Sequence, residues 1–89
     1  MDIEHDKTAF LRAREHRADF ARQTAALFIL CGIDLNAGLK TCGEERVRLT
    51  GRLRRLIERE RLKGVNRHWS YDLNRHIALK QALDRLVLA

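Results

Sequence analysis

Proline is absent from the 89 residues, so nothing in the chain forbids a long unbroken helix. Aromatic residues are scarce, with three Phe, one Trp and one Tyr, and β-branched residues are few, which leaves little material for strands. There are only two cysteines, and no export signal is recognisable. That excludes a disulfide-stapled scaffold and leads us to expect a cytoplasmic protein with reduced thiols. The longest apolar run, Ala25 to Cys31, falls far short of the ~20 residues that span a bilayer, so no membrane segment is expected. The chain also lacks a glycine-rich phosphate loop, a nucleophile elbow, an H-E-x-x-H helix and a C-x-x-C pair. The corresponding expectation is no catalytic residue, no metal and no cofactor.

What is present is rich in Leu, Ala, Arg and Glu, as suits an all-α protein. Residues 1–89 read as one small helical domain with no repeat or linker. A first helix is expected from about Asp6, its cap, to Cys31, with Phe10, Ala13, Phe20, Leu27 and Cys31 along one stripe and the apolar end at Leu27 to Cys31 most deeply buried. Gly32 suits the left-handed position after a helix, with Ile33 as the apolar residue beyond it. Residues 34–40 read as a turn or a single helical turn. Thr41 and Glu44 have capping-box spacing and predict the start of a second helix, which Gly64 ends. Ser70 is the expected cap of a third helix running to about Leu88, with Leu73, Ile77, Leu79, Leu83, Leu86 and Val87 as its apolar face and Ala78 and Ala82 on the flank.

The expected fold is therefore a small three-helix bundle with a long first helix. At about 26 residues that helix reaches about 39 Å and overhangs its neighbours. We accordingly expect it to pair with a second copy in a two-fold homodimer.

Charge is distributed unevenly. Residues 46–67 hold nine Lys/Arg against two Asp/Glu, whereas residues 1–45 hold six against eight and residues 68–89 three against two. The net charge of +6 thus resides in the second helix. There Leu49, Leu53, Leu56 and Ile57 form the stripe expected to face a core. On the adjoining face Arg48, Arg52, Arg55, Arg59 and Lys63 form a row about 22 Å long, continued by Arg67. Fourteen arginines against four lysines suit bidentate contact with phosphate, although GC-rich coding produces the same bias.

Such a row neutralises backbone phosphates and gives salt-sensitive binding with little sequence preference. The first functional reading is a non-catalytic nucleic-acid-binding protein acting as a small regulator. In the alternative, an interaction adaptor, the row meets an acidic protein surface and Trp69 and Tyr71 anchor the interface. The bland counterpart of the row is a solvated face paired to Glu44, Glu45, Glu58 and Glu60. The bland counterpart of Trp69 is closure of the bundle end. Glu60 falls on the apolar face of the second helix, and His76 and Lys80 on that of the third, so a buried polar pair between them is expected. Cys31, Cys42, His68 and His76 have no zinc-module spacing.

Overall fold

The structure is a computed structural model describing residues 3–88. Its elements in chain order are α1 (Ile3–Cys31), α2 (Leu35–Leu39), α3 (Gly43–Val65) and α4 (Leu73–Leu88), and no strand occurs among the described residues. The all-α expectation holds, with four helices, since residues 34–40 hold a short helix of their own.

Packing is centred on α4, which lies against both α1 and α3, while α1 and α3 scarcely approach each other. The molecule is a flat layer of 55 × 33 × 19 Å. Its radius of gyration of 16.2 Å exceeds the about 12 Å of a compact chain of this length. The core consists of Leu27, Ile33, Leu35, Leu53, Ala78, Leu79, Ala82 and Leu86, flanked by Leu49, Leu56 and Ile57 of the predicted α3 stripe. A helix buried between two neighbours presents its small residues to both. Hence Ala78 and Ala82, expected on a flank, are buried, whereas Leu73, Ile77 and Val87 are exposed.

The end of α1 is also less buried than its composition suggested. Leu27 is fully enclosed, but Phe28 and Ile29 face solvent at 61% and 78% exposure, because α1 is covered on one side only. Its first part, residues 3–19, is exposed all round. Toward that end Arg85 of α4 ties the helices, its Nε donating to Gln23 Oε1 at 2.8 Å and its guanidinium lying 4.5 Å from the centre of the Phe20 ring.

The helix ends partly follow the sequence reading. Gly32 adopts the left-handed conformation (φ +68°) and its N–H donates to Phe28 O, with Ile33 buried beyond it. The capping box does not form. Thr41 Oγ1 instead donates to Gly38 O and accepts from Arg46 Nε, and the chain enters α3 after Cys42 through Gly43 (φ +57°). Arg46 also donates through Nη1 to Leu86 O and through Nη2 to Leu39 O and Thr41 O. One guanidinium thereby satisfies carbonyls in the last turns of both α2 and α4, where the helix dipoles favour a cation.

At its other end α3 runs past Gly64 to Val65. The left-handed residue is Arg67 (φ +52°), with His68 N–H donating to Lys63 O and Arg67 N–H to Gly64 O, a Schellman pattern. Gly64 has a different job: a Cβ there would stand 3.1 Å from Cε2 of Tyr71, so the missing side chain makes room for that ring. The cap of α4 is Asp72, not Ser70, since its Oδ1 accepts from the amides of Asn74 and Arg75.

Gly51 meets nothing but the end of Arg55, 3.5 Å from a built Cβ, so its position has no packing reason to be glycine. Gly51→Ala is expected to stabilise the protein by about 0.5–1 kcal/mol, whereas Gly64→Ala forfeits that gain against Tyr71. Urea midpoints at unchanged m-value measure both.

Candidate basic binding face

The predicted row lies along one flank of α3 with Arg48, Arg52, Arg55 and Arg59 exposed. No α3 acid is ion-paired to these four arginines. Glu58 pairs with Arg61, on another side of the helix, at 2.7 Å, and Glu60 turns inward. Glu44 and Glu45 form no ion pair, and none of the four arginines forms one among the described residues. The face is thus solvated, and of its expected pairings with Glu44, Glu45, Glu58 and Glu60 only that of Glu60 with Lys63 forms among the described residues. Lys63 departs from the row, its Nζ lying 3.5 Å from Glu60 Oε1. Arg67, exposed in its left-handed conformation, stands beyond the end of α3.

The row borders concave surfaces. Arg55, Arg59 and Lys63, with Glu58, Leu62, Asn66 and His68, line a groove of about 430 Å³ toward the end of α3. Arg48 and Arg52 line another, of about 420 Å³, beside α2 and the end of α1, where the carboxylates of Asp34 and Glu45 share the lining. Past the first groove, the carbonyl of His68 accepts from Tyr71 N–H, making a tight turn whose outer residues are Trp69 and Ser70. His68 Nδ1 takes Ser70 N–H at 3.1 Å and lies 2.7 Å from Ser70 Oγ, fixing the imidazole that stacks on Trp69. Trp69 is 90% exposed, which overturns the idea that it closes the bundle. Tyr71 goes the other way, tucked against Gly64 with its hydroxyl 3.1 Å from His76 Nδ1. Of the two expected interface anchors, the structure leaves only Trp69 well exposed.

The buried polar pair differs from the expected one in its partners. Glu60 is 3% exposed, but its Oε1 accepts from Arg75 Nη1 at 3.2 Å and faces Lys63, while its Oε2 accepts from Asp72 N–H. His76 is occupied by Tyr71, and Lys80 is exposed on the far side of α4. The correction follows from the true inner face of α4. Arg75 precedes Ala78, Leu79, Ala82 and Leu86 by three, four, seven and eleven residues, so it shares their stripe. Counting alanine as core would have singled it out. Arg46 was missed for another reason, since its four acceptors are backbone and Thr41 oxygens that the fold gathers.

Among the described residues no three His, Cys, Asp or Glu side chains are grouped to hold a metal ion, and no helix is long and apolar enough to cross a membrane. Cys31 is half-buried, and burial pushes its thiol up from the ordinary value against the opposing pull of Arg75. In comparisons with family models, curated proteins and solved structures, the chain matches none.

Burial alone would raise the Glu60 carboxyl, but the Arg75 hydrogen bond, the Asp72 amide and the Lys63 charge outweigh it and hold it below the ordinary 4.5. A carboxylate so depressed contributes stability that is fully present above the unfolded value and is lost as pH falls through the folded one. Relative to Glu60→Gln, the wild type is expected to be more stable at neutral pH by about 1–3 kcal/mol. Arg75 and Lys63 are partly exposed and can turn to water, which limits the loss. Paired melts from neutral pH to below the ordinary carboxylate range should show the gap closing toward the acid end. A gap independent of pH would contradict the pairing.

Proposed function

We propose that the protein is a non-catalytic nucleic-acid-binding protein of the cytoplasm, a small regulator gripping the phosphate backbone through α3 with little sequence preference. The observation that carries this reading is the set of four exposed arginines, Arg48, Arg52, Arg55 and Arg59, none held by an acid among the described residues. Cations left with only mobile counterions gain when phosphates displace those ions, which makes binding strong at low salt. Lys63 and Arg67 extend the face, the first at reduced strength because Glu60 shares its charge.

The acting unit is proposed to be a homodimer. Ile3, Phe10 and Leu11 are exposed at 77%, 62% and 45% on a stretch of α1, residues 3–19, in which every residue is exposed. Pairing of two such helices buries these side chains and places two basic faces in one particle. Light scattering at tens of micromolar, a range chosen to populate modest association constants, is expected to give twice the chain mass, and a chain mass would remove the dimer.

Trp69 favours a second reading, in which the basic face docks on an acidic protein surface and the 90% exposed indole enters a pocket there. Fluorescence anisotropy with random duplex DNA, single-stranded DNA and RNA decides between them. The nucleic-acid reading expects micromolar or tighter binding, lost in an Arg52→Gln, Arg55→Gln, Arg59→Gln triple variant, with a duplex salt slope of about −4 from four phosphate contacts per protomer. No binding even at about 50 mM salt would leave the protein-docking reading.

A further inference from the structure

Where the end of α1 meets α3 and α4, a crevice of about 220 Å³ opens between Cys31 of α1, Arg52, Arg59, Glu60 and Lys63 of α3, and Arg75 of α4, with leucines completing its walls. Four cations and one carboxylate line it, leaving a formal charge of +3. The carboxylate's charge is offset by its ion pairs with Arg75 and Lys63. Both Glu60 oxygens already accept hydrogen bonds, and the group holds Arg75 and Lys63 beside the crevice. Arg52 and Arg59 reach it from the rim without an acid partner among the described residues. Apolar walls lower the local dielectric and strengthen the attraction those guanidiniums exert on an anion inside.

We propose that this crevice is a seat for a terminal phosphate group, a phosphomonoester dianion, with Arg52 and Arg59 closing on its oxygens and Arg75 and Lys63 supplying further positive charge. A dianion matches the excess charge better than a backbone phosphodiester with its single charge. Two guanidiniums provide the forked donors that phosphate oxygens accept. Walls on three helices admit the end of a molecule more readily than a strand running through. The proposal rests on this crevice alone and not on polymer binding along the row.

Cys31 supplies the readout, because it lines the crevice while Cys42 is exposed elsewhere and serves as an internal control. The rate of alkylation at each cysteine, resolved by peptide mass spectrometry, is followed at constant ionic strength with inorganic phosphate up to about 30 mM, a range reaching millimolar Kd values. Three further probes are run beside it: a 5′-phosphorylated dinucleotide, the same dinucleotide with a 5′-hydroxyl, and chloride alone. Phosphate is expected to slow Cys31 about tenfold at ten times its Kd and to leave Cys42 unchanged. The 5′-phosphorylated dinucleotide should do the same and the 5′-hydroxyl one should not, which separates a terminal phosphate from a backbone one.

Protection should vanish in Arg52→Gln, Arg59→Gln and persist in Arg48→Gln, Arg55→Gln, a pair that impairs the row but not the crevice. An unchanged Cys31 rate, equal slowing at both cysteines, or equal protection by the two dinucleotides overturns the proposal. Failure of anisotropy binding with protection intact would instead count against the polymer reading alone.

Discussion

The buried carboxylate of Glu60 is the constraint around which the basic half of the molecule is arranged. An ionised group at 3% exposure persists only with partners, because desolvation without compensation costs several kcal/mol. Its partners come from three places: Arg75 at the start of α4, Lys63 one turn along α3, and the amide of Asp72 between the helices. Satisfying Glu60 therefore fixes how the chain leaves α3 and enters α4. It also diverts the inward acid of α3 away from the outer arginines, so the row keeps its charge.

A chain this short has little apolar surface to bury, and polar contacts do part of the work of holding the layer. Each side of α4 has an arginine that reaches across a helix boundary. Arg46 joins the ends of α2 and α4 through three carbonyls, and Arg85 ties α4 to α1 at Gln23 and Phe20. Before Phe20, residues 3–19 of α1 are all exposed. The flat arrangement follows from this division, with α4 serving as the shared wall for two helices that scarcely touch. The crevice is lined from all three of these helices, by Leu30 and Cys31 at the end of α1, by α3, and by Arg75 and Leu79 of α4.

Much of this was legible in residue spacing. The α3 core stripe and the exposed arginine row both follow from the helical period, and Gly32 marked the end of α1 because a positive φ was needed there. The phase of α4 was not legible in the same way. Large apolar residues pointed to Leu73 and Ile77, whereas a helix packed on two sides is phased by Ala78 and Ala82, and the partner of Glu60 was misplaced with it. The cap assignments failed locally. Thr41 was claimed by Gly38 and Arg46, and Asp72 outcompeted Ser70 for the α4 amides. Trp69 carried no signal of its exposure, which is set by the turn that the Schellman end of α3 feeds.

Arginine side-chain NMR tests most directly whether the row is uncompensated and is the contact surface. The Nε–H groups of Arg46 and Arg85, bonded to Thr41 Oγ1 and Gln23 Oε1, are expected to exchange slowly with water, and those of Arg48, Arg52, Arg55 and Arg59 rapidly. Addition of a short duplex oligonucleotide should shift these four resonances and leave Arg46 and Arg85 in place. Four row arginines already protected in the free protein, or resonances unmoved by the oligonucleotide, would contradict it.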